Sequence, residues 1–166
     1  ARKKEVLDGL KDLLAALEKN RVAEGARIAK ALFEQLNAII KLCGQAEKLA
    51  ALQPDNIREK LNQQVAELLD AVPNLPEERL AQEAAVLMTK ADVREELDRL
   101  QAHIDAARAL MEEGGVIGRR LDFLCQEFNR EANTLCSKAT DVELSKIGLE
   151  LKAVIEQYRE QVQNIE

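Results

Sequence analysis

The residues best placed to do chemistry crowd into the run Gly118-Arg-Arg-Leu-Asp-Phe-Leu-Cys-Gln-Glu-Phe-Asn-Arg-Glu-Ala-Asn-Thr134. At 100° per residue, Leu121, Leu124, Cys125, Phe128, Ala132 and Leu135 form one apolar face, enough to dock a helix. Asp122, Gln126, Asn129 and Asn133 gather on one flank, while Glu127, Arg130, Glu131 and Thr134 occupy the remaining arc. A merely solvated helix favours Lys and Glu over three amides. Asparagine is a poor helix former, so its use at both 129 and 133 points to work for its hydrogen-bonding groups, although a buried polar network or a helix-end cap accounts for the same pattern. A second constellation lies upstream. Asp92, Glu96, Arg99 and His103, the chain's single histidine, fall at i, i+4, i+7 and i+11 and share one flank of a continuous helix. Two carboxylates, a guanidinium and an imidazole can hold a divalent cation, position a phosphate and transfer a proton. The plainer alternative is a surface ladder of i,i+4 ion pairs, which contributes little. There is no Gly-x-Ser-x-Gly elbow, phosphate-binding Gly-Lys-Ser/Thr loop, His-Glu-x-x-His helix or dinucleotide fingerprint.

Both constellations need helices to carry them. With 46% hydrophobic, 33% charged and only 2% aromatic residues, Leu, Ile, Val and Ala must do the packing. That balance predicts an all-α fold of long antiparallel helices and helical hairpins in an extended bundle. Apolar positions from Val6 through Leu10, Leu13, Leu14, Leu17, Ile28, Leu32, Leu36, Ile39 and Ile40 to Cys43 keep a 3.6-residue rhythm. Such a helix, about 70 Å long, must project or break, with Gly25 and Gly44 its weakest points. Gln53-Pro54-Asp55-Asn56 predicts a turn and a second helix to about Leu69, and Pro73-Asn-Leu-Pro76 a further break. A helix from Pro76-Glu77-Glu78 carries Val86, Val93, Leu97, Leu100, Ile104 and Met111 on one face until Gly114-Gly115 stops it. Thr140-Asp-Val-Glu143 reads as a capping box opening a last helix with Ile147, Leu151, Val154, Ile155, Tyr158, Val162 and Ile165 inward. The expected organisation is a long hairpin region over 1–76 and a C-terminal helical domain over 77–166.

The formal charge of −6 disfavours nucleic acid as a partner, but the acidity is concentrated in residues 51–115, so basic patches such as Arg119, Arg120, Arg130 and Lys138 remain open to phosphate. Cys43, Cys125 and Cys136 have neither zinc-ligand spacing nor an even count, and read as reduced residues filling helix faces. No stretch is apolar enough to span a bilayer and none resembles a signal peptide, so a cytoplasmic protein is expected.

Gly-Arg-Arg-Leu-Asp-Phe-Leu-x-Gln-Glu-x-Asn-Arg-Glu-Ala-Asn-Thr from Gly118, followed by Ser137-Lys138, resembles the C-terminal region of the YicC-like bacterial endoribonucleases. The chain end Glu156-Gln-Tyr-Arg-Glu-Gln-Val-Gln-Asn-Ile-Glu166 carries the same resemblance, as do Glu78-Arg-Leu-Ala-Gln-Glu83 and the segment from Lys90 to Ile104. It is close over about 77–166 and looser over 1–76, where Arg21-x-x-Glu24-Gly25 matches. The family's further N-terminal domain has no counterpart here, so the chain looks like a fragment. The resemblance implies a metal-dependent endoribonuclease acting on RNA, with a homo-oligomeric assembly, a hexamer being the size the full-length family suggests, and no membrane. On that reading Glu127, Glu131 and Asp122 are metal ligands for Mn²⁺ or Mg²⁺. His103, Glu96, Arg99, Glu127 and Glu131 form the catalytic group. Arg119, Arg120, Arg130 and Lys138 pair with phosphate, and Asn129 and Asn133 orient neighbours or meet a 2′-hydroxyl. Attack by water and attack by the RNA's own 2′-hydroxyl, activated by His103 or a carboxylate, both stay open. The rival reading is a non-catalytic helical oligomerisation module. Gly25 reads as a point of close helix packing, and Glu83 as a minor acidic candidate.

Overall fold

The computed structural model describes residues 2–71 and 77–165, and their regular structure is all α-helix. Five helices follow in order: α1 (Arg2–Ala71), α2 (Glu77–Ala91), α3 (Arg94–Glu113), α4 (Gly118–Lys138) and α5 (Val142–Val162). Their mutual directions follow from which residues meet. Along α3, Glu96, Arg99, His103 and Glu113 face Lys138, Glu131, Phe128 and Arg120 of α4 in descending order, so the two helices form an antiparallel hairpin. Gly148, Tyr158 and Arg159 of α5 face Cys136, Phe128 and Asp122 of α4, again antiparallel. α1 packs along α5 and α3, which closes a four-helix bundle in the spatial order α1, α5, α4, α3, and α2 lies against α1.

One contiguous core joins Leu32, Leu36, Ile39 and Cys43 of α1 to Leu97, Leu100 and Ile104 of α3, Phe128 and Leu135 of α4, and Leu151, Ile155 and Tyr158 of α5. Burial of each Leu or Ile stabilises by about 1.5–3 kcal/mol, and aliphatic side chains carry most of this core. The two large rings sit together at its centre: Phe128 meets Tyr158 edge-to-face at 6.2 Å and meets His103 in the same manner on its other side. The apolar faces expected for α4 and α5 are the buried ones. Gly114 and Gly115 end α3 with φ of 69° and 77°, the left-handed region in which glycine has no Cβ penalty.

Several expected boundaries are corrected. α1 runs through Pro54, so no separate helix starts there: the missing N–H removes one hydrogen bond, a local cost of about 3 kcal/mol, which the turns on both sides can outweigh. The second expected break, at Pro73–Pro76, falls outside the described residues. α1 also runs through Gly25 and Gly44. A Cβ at Gly25 would meet nothing within 4 Å, so it is not a point of close packing. That role belongs to Gly148, where a Cβ would lie 2.5 Å from Cys136 Sγ and 3.1 Å from Leu135 Cδ2, so that these α4 side chains would have to move. The single helix expected from 77 to 113 breaks at Asp92-Val93, where the Asp92 carboxylate accepts the Arg94 backbone N–H at 3.0 Å and turns the chain into α3. The N-cap of α5 is Asp141 rather than Thr140: its Oδ1 accepts from the N–H groups of Glu143 and Leu144 at 2.8 and 3.2 Å, and its charge suits the helix N-terminus better than a hydroxyl would.

The first 27 residues behave differently from the rest of α1. Val6, Leu7, Leu10, Leu13, Leu14 and Leu17 are all exposed by half or more, and burial begins at Ile28.

Candidate active site

The α3–α4 hairpin brings the two chemically loaded constellations together. One potential ligand atom from each of His103, Glu127 and Glu131 lies within 4.8 Å of the others. Glu127 and Glu131 share a flank because they are one turn apart on α4, and His103 reaches them because the antiparallel register sets it opposite Phe128. Glu131 is only 3% exposed, on the edge of the apolar face that holds Phe128, Ala132 and Leu135. Two guanidiniums offset this concentration of negative charge. Arg99 Nη1 stands 3.7 Å from Glu131 Oε2 while its Nη2 also bonds Glu95, and Arg130 Nη1 stands 3.9 Å from Glu127 Oε2. Arg99 and Arg130 keep about half or more of their side chains exposed, so their remaining N–H donors face solvent, as an incoming anion requires. The arrangement holds acceptors for a cation, donors for a phosphate and an imidazole within reach of both.

The other candidates go elsewhere. Asp92 leaves the Glu96–Arg99–His103 stripe because it lies in the turn before α3, where bonds from the Arg94 guanidinium and backbone hold its carboxyl below the ordinary carboxylate value. Glu96, 3% exposed, accepts from Lys138 Nζ at 2.8 Å, and the same ammonium donates to the Asp92 carbonyl at 3.1 Å. Lys138 thus clasps the start of α3 to the end of α4. Asp122 lies outside the His103 cluster, accepting from Gln126 Nε2 at 3.0 Å and facing Arg159 at 3.6 Å. His103 stands where the sequence pattern suggested Asp122, and no spacing rule joins a residue of one helix to two of another. Arg120 pairs with Glu113 at 3.0 Å near the α3–α4 turn, and Arg119 is exposed beside it. Asn129 is half-buried and Asn133 exposed, and Glu83 is exposed on α2.

The helical bundle thus carries a cluster of carboxylates, an imidazole and guanidiniums at one hairpin, and the kinship of the chain defines its class. The family described as "Endoribonuclease YicC-like, C-terminal" matches residues 46–166, from within α1 to the chain end. A probable endoribonuclease YicC of Clostridioides difficile (strain 630) is 36% identical over 157 residues, which cover 95% of this chain and 54% of that relative. A probable endoribonuclease YicC of Haemophilus influenzae (strain ATCC 51907 / DSM 11121 / KW20 / Rd) is 36% identical over 162 residues, covering 98% of this chain and 55% of that relative. This chain belongs to the YicC-like endoribonuclease family and spans about half the length of the curated relatives it matches.

Proposed function

We propose that the chain is the helical C-terminal part of a divalent-metal-dependent endoribonuclease, with Arg99, His103, Glu127, Glu131 and Arg130 as its catalytic group. The observation that carries this reading is the convergence of His103, Glu127 and Glu131 within 4.8 Å, beside the half-exposed Arg99 and the exposed Arg130. Glu127 and Glu131 would supply oxygen ligands to Mn²⁺ or Mg²⁺, with water completing the shell, which leaves the neighbouring His103 imidazole free to act as a base. Such an ion, when bound, supplies a Lewis acid for a phosphoryl oxygen. The chain's own groups do the rest. Arg130 and Arg99 pair with the non-bridging oxygens and stabilise charge that grows at phosphorus. His103 takes the proton of the attacking hydroxyl as its oxygen bonds to phosphorus and the bond to the leaving oxygen breaks, and that oxygen departs with a proton from water; Asn129 and Asn133 lie on the neighbouring flank, suited to a ribose 2′-hydroxyl.

In the full-length protein, Glu127→Gln and Glu131→Gln should each lower Mn²⁺-dependent RNA cleavage by roughly 100-fold or more, the scale of losing a catalytic charge, with the helical circular dichroism unchanged. Parental cleavage rates at limiting Mn²⁺ in both variants would show the carboxylates to be structural. Free cysteines, of which Cys43 and Cys125 are buried, and the absence of any helix among the described residues able to cross a membrane fit a cytoplasmic setting.

A second reading, assembly, rests on α1. The exposed stripe from Val6 to Leu17 suits a helical seam with another copy, and homo-oligomerisation belongs to the proposal. Leu32 and Leu36 are not the residues with which to test it, since both are 1% exposed in this chain's own core. Leu10→Glu with Leu14→Glu should reduce the mass measured by light scattering while leaving the fold intact; an unchanged mass removes the stripe from the interface.

A further inference from the structure

Phe123 is the one aromatic ring of α4 that faces out, 59% exposed in a protein with few rings to spare. It stands one turn before Glu127 and one turn after Arg119, about 6 Å from each along the helix. Across from it α3 presents Ala106 and Ala109, whose short side chains leave a groove of about 600 Å³ between the helices, lined also by Arg119 and by the Arg120–Glu113 ion pair. Ala106 follows His103 by one turn of α3 and Phe123 precedes Glu127 by one turn of α4, which puts the groove one helical step along the hairpin from the catalytic cluster. Arg119 forms no ion pair among the described residues, so the rim retains a cation for an anionic ligand.

We propose that this groove is a single-stranded RNA subsite, in which the nucleobase next to the cleaved bond stacks on Phe123 and its phosphate pairs with Arg119. A flat ring opposed by alanines accepts any base face, and Arg119 complements the backbone charge while Arg120 stays paired with Glu113. One turn of α4 separates stacking ring from catalytic carboxylate, a step comparable to that between neighbouring residues of an extended strand. Duplex RNA presents no free base face to the ring, so the subsite selects unpaired segments. The assignment rests on the endoribonuclease reading for the word cleaved, but base stacking can be measured without cleavage.

The experiment uses the full-length protein in the Glu131→Gln background, with a single-stranded RNA oligonucleotide carrying one 2-aminopurine. Binding should quench the 2-aminopurine, Phe123→Tyr should keep affinity within about two-fold, and Phe123→Leu should lose the quenching and weaken binding roughly ten-fold. A duplex of the same sequence should respond to none of these changes. Unquenched 2-aminopurine at every position of the parental complex, or Phe123→Leu binding and quenching like the parent, overturns the subsite and leaves the effect of Glu127→Gln on cleavage untouched. A change of oligomeric mass in Phe123→Leu without loss of quenching assigns the ring to a protein interface and overturns it too. If instead Phe123→Leu loses quenching but the Glu127 and Glu131 variants cleave normally, the subsite stands and the catalytic reading falls.

Discussion

Glu96 and Glu131 are the two buried carboxylates among the described residues, equally enclosed at 3% exposure, yet their surroundings differ in kind. Glu96 meets an ammonium at 2.8 Å that also bonds the Asp92 carbonyl, so its charge is cancelled at short range by a group with its own second anchor. Among the described residues Glu131 has only the Arg99 guanidinium as a cationic partner, at 3.7 Å and shared with Glu95, while another carboxylate and an imidazole stand within 4.8 Å. A buried charge matched by one close partner is a structural clasp. One held loosely among like groups has coordination left to give.

The sharpest way to break that contrast is to remove each partner in turn. Lys138→Met leaves Glu96 buried without its cation, a change that costs about 3 kcal/mol, lowered somewhat because Lys138 is 28% exposed. For a chain of this size the midpoint of thermal unfolding should fall by roughly 6–10 °C. Glu96→Leu combined with Lys138→Met should recover most of the loss, since replacing both members of a buried pair by apolar groups is nearly neutral. Arg99→Met should cost less than about 1 kcal/mol, the scale of a half-exposed pair, while reducing cleavage by the full-length protein. Equal destabilisation by Arg99→Met and Lys138→Met would make Glu131 a second clasp and dissolve the distinction.

The two carboxylates also mark what a sequence can and cannot reveal. Helix faces on α4 and α5 were legible because burial there repeats with the helical period, and Gly114-Gly115 because a left-handed stop needs glycine. The grouping of His103 with Glu127 and Glu131 comes from the family resemblance, which covers both helices, and not from spacing, because their register depends on a hairpin packing that no local spacing encodes. Glu96 and Lys138 were therefore grouped with catalytic and phosphate-binding residues although they bond to each other. On α1, Leu14 and Leu32 are 18 residues apart, five whole turns, and occupy equivalent places in the same rhythm. Only Leu32 is buried, because periodicity records that a face is apolar and says nothing about what covers it. Pro54 and Gly25 misled for the opposite reason: a local penalty of a few kcal/mol is small against the bonds of a long helix.

The smallest expected effect tests how far the clasp extends. Asp92 turns the chain from α2 into α3, and bonds from the Arg94 side chain, then its backbone, hold the Asp92 carboxyl below its ordinary value of 3.8. A depressed folded-state value means that the unfolded chain binds the proton more readily. The stabilisation is therefore fully present above the unfolded value and is lost as pH falls from about 5 through the folded value. Asp92→Asn keeps an acceptor for the Arg94 N–H but has no charge to titrate. Its urea midpoint should lie slightly below the parent's at pH 7, and the difference should shrink as pH falls below 3.8 toward the folded-state value. A difference that persists unchanged at low pH would mean that shape, not charge, sets the turn. The same substitution in Lys138→Met links the turn to the clasp. The Lys138 ammonium spans the Asp92 carbonyl and Glu96, so the two losses should be less than additive; strict additivity would show that the turn before α3 stands without the clasp, and that Glu96 is held by its lysine alone.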